Sequence, residues 1–215
     1  MKSLFEGAVK FREEDFKEHK ELFERLGQKQ EPHTLFVGCA DSRVVPNLIT
    51  NTLPGELFVV RNIANVVPPY REAEEFLATT SAVEYALNVL NVRNVIICGH
   101  SNCGGCSALY LEESSFKKTP HVKKWLELLE PTRKKVLSLE PDTIAKRSWM
   151  TEQINIEKQL ENLFTYPGVK ERFLKGELGV FGWYYIIETG EVFSYDFDKH
   201  QFVLVEESPK IEQER

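Results

Sequence analysis

Apolar positions along this chain follow two rhythms. Between Leu4 and Leu26 the residues Phe5, Val9, Phe16, Leu22, Phe23 and Leu26 recur at near-helical intervals around the charged run Arg12-Glu13-Glu14-Asp15. This spacing predicts one amphipathic helix, ended by Gly27. After the polar connection Gln28 to Pro32 the rhythm changes to short continuous apolar runs. These are Thr34-Leu-Phe-Val37, Leu57-Phe-Val-Val60 after the turn signal Pro54-Gly55, and Asn94 to Cys98. Continuous runs of strand formers predict strands buried on both faces. Between the second and third, Glu72 to Leu90 carries Phe76, Val83, Leu87 and Leu90 on one face, a helical pattern. Beyond Gly99 helices are expected at Pro120 to Leu129, Ser148 to Phe164 and Val169 to Lys175, punctuated by Pro131, Pro141 and Pro167. Leu178 to Glu188 and Glu191 to Tyr195, separated by Gly190, read as a hairpin-like pair adding an edge strand.

Strands alternating with helices predict an α/β fold: a mostly parallel central sheet with an added edge strand, flanked by helices and preceded by an N-terminal helical arm. A length of 215 residues with 42% hydrophobic residues suits one domain over 1–215, with an arm over 1–31, a core over 32–205 and a charged tail over 206–215. The tail lacks apolar periodicity, so fraying is expected there. A net charge of -6 argues against a nucleic-acid partner. The longest apolar stretch, Val180 to Ile187, is too short to span a bilayer, and Glu6 interrupts any secretory pattern. A cytoplasmic protein with a small-molecule partner is expected, its four cysteines being free thiols or metal thiolates.

The cysteines are placed where chemistry is expected. Ligand sites in open parallel sheets form beyond the carboxyl ends of strands, where both Cys39-Ala-Asp41-Ser-Arg43 and His100-Ser-Asn-Cys103 fall. Cys39, His100 and Cys103 make a ligand set suited to zinc, with one position left open as in catalytic sites. Cys98 lies inside an apolar run and reads as core. Cys106 completes a C-x-x-C with Cys103 and reads as a small packed residue, a fourth ligand or half of a redox pair. Asp41 is close enough either to bind the metal or to accept a hydrogen bond from a metal-bound water, and Arg43 can hold its carboxylate back through a bidentate pair. Gly99-His-Ser-Asn-Cys103 fails as a hydrolase elbow because its fifth position is Cys. The glycines there fail as a phosphate loop because Gly105 and Cys106 stand where Lys and Ser or Thr belong.

Taken together, Cys39-x-Asp41-Ser42-Arg43, Arg61-Asn62-Ile-Ala-Asn65 and His100-Ser-x-Cys103-Gly104-Gly105 resemble the β-class carbonic anhydrases. The likeness runs in order from Gln30 to about Tyr110, with looser agreement at Gly182-Trp-Tyr-Tyr185. It implies one zinc per chain on Cys39, His100 and Cys103, with Asp41 and Arg43 as a catalytic dyad, and a closed state in which Asp41 becomes the fourth ligand. Gln30, in the Gln-x-Pro setting of the plant-like branch, is implied to bind substrate oxygen, with Phe58, Ile63 and Tyr85 lining an apolar pocket for CO2. Phe36 stands where a branch regulated by inhibitory bicarbonate carries tryptophan, which argues against such regulation here.

The implied activity is reversible hydration of CO2 to bicarbonate and a proton by zinc-bound hydroxide. A backbone N–H near Gly105 would steady the bicarbonate oxygen. The resemblance further implies a homodimer or a higher assembly such as a dimer of dimers, with pockets built partly from the neighbouring subunit. Competing readings are hydrolysis of CS2 or COS on the same scaffold, a thiol redox protein using Cys103 and Cys106, and a structural zinc protein with all four metal positions filled.

Overall fold

The structure is a computed structural model, and it describes residues 2–71 and 77–206. Three short helices open the chain: α1 (Lys2–Glu13), α2 (Asp15–Glu18) and α3 (Lys20–Leu26). They replace the single helix expected over Leu4 to Leu26. The cause is an aromatic cluster: Phe11 and Phe23 lie 12 residues apart (23 − 11), about 18 Å along a straight helix, yet their ring centroids are 5.7 Å apart. Phe16 stacks on Phe23 at 5.2 Å, so the chain folds at Glu14 and His19 to bring the three rings together. No residue of these helices is buried.

β1 (Thr34–Cys39), α4 (Pro46–Thr50), β2 (Leu57–Asn62), α5 (Leu77–Asn88), β3 (Asn94–His100) and α6 (Gly104–Ala108) then follow. The first part of the helix expected from Glu72, including Phe76, lies outside the described residues. α7 (Pro120–Leu126) and α8 (Glu130–Ser138) come next, followed by α9 (Ile144–Leu163) and α10 (Val169–Leu174). Pro131 begins α8 instead of interrupting a helix, because the first helical turn needs no N–H there. α9 starts four residues ahead of the expected Ser148 (148 − 144), capped by the Thr143 hydroxyl, which accepts from the Lys146 N–H.

The chain closes with β4 (Gly179–Tyr185), β5 (Val192–Asp196) and β6 (Gln201–Leu204). The sheet order is β2-β1-β3-β4-β5-β6, with the first four strands parallel and the last two antiparallel. The expected hairpin is present as the antiparallel pair β4–β5, with β4 also pairing in parallel with β3 inside the sheet; the extension runs one strand further than expected, to β6. Of the charged tail, residues 207–215 lie outside the described residues.

One sheet face carries Leu35, Val37, Val95, Ile97 and Val180, which pack with Val83, Leu87, Ile156 and Leu160 into the main core. Ile156 comes so close that a Cβ on Gly99 would meet it at 2.8 Å, and one on Gly182 would meet Leu160 at 2.8 Å. Those two glycines let α9 sit flush against β3 and β4. The opposite face holds a smaller cluster of Phe36, Ile96 and Cys98 with Phe181, Trp183 and Tyr185. Alternate residues of β4 are buried and half-buried, so the helices of this chain fully cover only one side of that strand.

Candidate active site

The strand order reverses at β1: β2 is added on one side of it and β3, also parallel, on the other. Such a switch point leaves a crevice at the carboxyl ends of the two strands. Cys39 ends β1 and His100 ends β3, with Gly38 paired to Cys98 between them. Cys103 follows three residues later, just before α6. The Sγ, imidazole and Sγ ligand atoms of Cys39, His100 and Cys103 all lie within 4.8 Å of one another, and all three residues are buried. Among the described residues, neither Cys98 nor Cys106 joins this group. Cys98 is fully buried and Cys106 nearly so, as small core residues.

The cluster fits zinc on its own geometry. Two thiolates at Zn–S of about 2.3 Å in a tetrahedron stand about 3.8 Å apart, and the two Sγ atoms are separated by 4.0 Å. His100 Nδ1 lies 2.9 Å from the Ser101 carbonyl oxygen, which can only accept, so Nδ1 carries the proton. Nε2 is left with its lone pair, buried and without a hydrogen-bond partner. An unpaired buried acceptor between two sulfurs is what a cation would satisfy. Without one, the Cys39 thiol is pushed up to about 12, chiefly by its contact with Cys103 and then by burial. The Cys103 thiol is raised as well, first through its hydrogen bond with Cys106.

Asp41 stands beside this triangle. Arg43 holds it in a fork: Nε donates to Oδ1 at 2.9 Å and one terminal NH2 donates to Oδ2 at 2.7 Å, while the Arg43 backbone N–H adds a third bond at 3.0 Å. This hold keeps the Asp41 carboxyl well below the usual carboxylate range. Asp41 Oδ2 nevertheless lies only 3.9 Å from His100 Nε2, within a short swing of the cluster. Arg61 fixes the backbone between the two, donating to the carbonyls of Cys39 at 3.0 Å and Asp41 at 2.6 Å.

The segment after β2 forms the wall opposite. Asn62 closes it by donating to the Val66 carbonyl and accepting from the Val66 N–H, and Asn155 of α9 donates to the Ala64 carbonyl. These bonds hold Ala64 in the left-handed region at φ 62°. Gly105 meets this wall: an added Cβ would stand 2.9 Å from both Ala64 Cβ and Ile63 Cγ2.

Of the residues expected to serve the site, Cys39, Asp41, Arg43, His100 and Cys103 come together, with Gly105 and Ile63 alongside. Gln30, Phe58 and Tyr85 do not join them. Gln30 is exposed and precedes the amino end of β1, about 17 Å along the strand from Cys39. Phe58 pairs with Leu35 near that same end and packs its ring at a tilt against Tyr85, with ring centroids 5.9 Å apart.

Two supporting residues were not visible in the sequence. Glu152 of α9 is buried; its carboxylate accepts from the Cys103 N–H at 2.9 Å and from the Tyr184 hydroxyl at 2.7 Å. Burial raises its pKa. Glu188, after β4, accepts from the Ser101 hydroxyl and the Asn102 side chain. Neither has a local sequence signal, since each reaches the site from a remote element.

This crevice, with its Cys-His-Cys triangle and Asp–Arg pair, is the architecture of a β-class carbonic anhydrase. A carbonic anhydrase family model matches residues 34–192, and the chain belongs to that family. It is 48% identical over 210 residues to a carbonic anhydrase of Helicobacter pylori strain J99, covering 96% of this chain and 95% of the relative. Among solved structures, the β-carbonic anhydrase CcaA is 42% identical with a TM-score of 0.90, covering 98% of this chain and 93% of that one. A structure described as one of two tetrameric β-carbonic anhydrases from Sordaria macrospora is 27% identical with a TM-score of 0.79, covering 89% and 94%.

Proposed function

We propose that this protein is a zinc-dependent carbonic anhydrase interconverting CO2 and bicarbonate. The observation that carries the reading is the buried, unpaired Nε2 of His100, set between two thiols and beside a carboxylate already held by Arg43. Cys39, His100 and Cys103 would hold the metal, two thiolates and a neutral imidazole balancing its charge. Bound there, zinc supplies a Lewis acid that lowers the pKa of water toward about 7. Asp41 stays ionised under the hold of Arg43 and so accepts a hydrogen bond from the attacking water, orienting its lone pair toward CO2. Ile63 gives the crevice an apolar wall, which suits an uncharged linear substrate. The Gly105 N–H, held against Ile63 and Ala64, is positioned to donate to the developing bicarbonate oxygen.

Gln30, Phe58 and Tyr85 serve the site of a second copy in this reading, because they lie at the far end of β1 and β2 from their own cluster. Three features support self-association. Leu4 and Phe5 of α1 are 75% and 69% exposed, Phe181, Trp183 and Tyr185 are half-covered, and the Sordaria relative is described as tetrameric. A dimer or a dimer of dimers is the assembly proposed. A reducing cytoplasm suits the free thiols; no helix among the described residues is long and apolar enough to cross a membrane.

Purified protein is expected to carry about one zinc per chain. Cys103→Ser should lose most of the metal, whereas Asp41→Ala should keep it and lose roughly 100-fold or more in kcat/KM. Full activity in both variants would overturn the assignment. CS2 and COS belong in the same assay, and turnover of either in place of CO2 would reassign the substrate.

A further inference from the structure

The turn after β4 reaches back to the loop that carries the metal ligands, and one exposed carboxylate makes the connection. Glu188 Oε2 accepts from the Ser101 hydroxyl at 2.8 Å and Oε1 from the Asn102 side-chain amide at 2.5 Å. Two backbone links seat the same loop on the same strand end: the Ser101 N–H donates to the Tyr185 carbonyl at 2.9 Å, and the Ile187 N–H donates to the Ser101 hydroxyl oxygen at 3.0 Å. Ser101 is thus gripped by side chain as well as by backbone, and Asn102 by its side chain.

The grip matters because of what Asn102 does next. Its backbone sits in the left-handed region at φ 55°, a conformation that asparagine tolerates but that needs fixing by its surroundings. In that conformation its carbonyl accepts from the Arg43 NH2 at 3.1 Å, the same group that holds Asp41 Oδ2. Bonds therefore run without a gap from Glu188 through Asn102 and Arg43 to Asp41. At the far end the carboxylate has two places to go: the Arg43 fork, or the metal cluster, since Oδ2 is 3.9 Å from His100 Nε2.

We propose that Glu188 is a positioning residue for the Asp–Arg pair: by fixing the Asn102 carbonyl it holds the Arg43 guanidinium where it keeps Asp41 out of the metal's open coordination position. The proposal rests on the metal-site reading above. It gives the turn after β4 a role in the site although Glu188 touches neither metal ligand side chains nor substrate. Freed from Asn102, Arg43 keeps its charge but loses one of the bonds that fix its plane, and Asp41 competes better for the fourth position.

Cobalt-loaded protein titrated with azide tests this by visible absorbance, because an added anion binds only when the fourth position is open. Glu188→Ala is expected to bind one cobalt per chain as the unsubstituted protein does, while its azide affinity falls at least about fivefold. CO2 hydration should fall in parallel through kcat rather than KM. Glu188→Gln keeps an oxygen for the Asn102 amide and should recover most of the affinity. Azide affinity within twofold of the unsubstituted protein in Glu188→Ala would overturn the proposal, as would an equal loss in Glu188→Gln. Loss of cobalt in Glu188→Ala would also overturn it, since Glu188 would then be holding the ligands and not the pair. If the unsubstituted protein takes up no cobalt, the metal-site reading fails first, and this is seen before any azide is added.

Discussion

At the scale of single residues, Glu152 decides how firmly the Cys103 backbone is held. Its carboxylate lies beneath Cys103, and burial raises its pKa. For an acid, a raised folded-state pKa means that the folded protein binds the proton more tightly than the unfolded chain. Glu152 therefore makes its full contribution below the unfolded carboxylate pKa of about 4.3, and that contribution diminishes as pH rises through the folded value. Glu152→Gln keeps an acceptor for Cys103 and a partner for Tyr184, so it should fold and should flatten the pH dependence of chemical denaturation above the unfolded carboxylate pKa of about 4.3. Glu152→Ala leaves the Cys103 N–H and the Tyr184 hydroxyl unpaired, and roughly 3 kcal/mol of stability should be lost. The meeting of Cys39, His100 and Cys103 and the Asp–Arg pair were legible in the sequence because each residue sits in a short segment whose spacing has chemical meaning. Glu152 was not, because it is one glutamate among several on α9 and its partner is 49 residues away. Only packing tells it apart from Glu161, which pairs with Lys158 in solvent.

At the scale of elements, the site is set by how closely α6 approaches the turn after β2. Gly105→Ala would drive a methyl group into Ala64 and Ile63 at 2.9 Å and crowd the Ala64 backbone N at 3.2 Å. Something must move, and the left-handed turn at Ala64 is pinned by Asn62 and Asn155. The expected cost is about 1–3 kcal/mol in thermal or chemical unfolding, with a larger proportional loss of CO2 hydration, because the displaced groups line the crevice. β1 and β3 were readable from their continuous apolar runs, since burial on both faces erases alternation, whereas β2, with the same kind of run, is an edge strand that leaves Val59 and Arg61 exposed instead of the expected burial on both faces. The arm misled for a physical reason: its period is helical, but three phenylalanines attract one another across a distance that no straight helix closes. β6 escaped notice because Gln201–Leu204 is only four residues long, follows a charged turn at Asp196 to Lys199, and becomes a strand by pairing with β5.

At the scale of the whole molecule, the residues expected to form one pocket divide between two ends of the sheet. The Cys-His-Cys triangle and the Asp–Arg pair occupy the carboxyl end of β1 and β3, while Gln30, Phe58 and Tyr85 sit toward the amino end of β1 and β2. The resemblance implied pockets built partly from a neighbouring subunit, but a sequence motif carries no information about which side chains that copy would supply. Association would also cover the exposed apolar face of α1. Leu4→Glu combined with Phe5→Glu should lower the mass in sedimentation equilibrium and reduce CO2 hydration, with zinc content per chain unchanged. If the triangle of Cys39, His100 and Cys103 is a working zinc centre for CO2, stopped-flow CO2 hydration on the purified protein, before zinc removal by a chelator, after it, and after zinc is returned, will reveal it. Activity should track zinc content up to one metal per chain. Undiminished hydration in the stripped protein, or none after zinc is restored to one per chain, would contradict it.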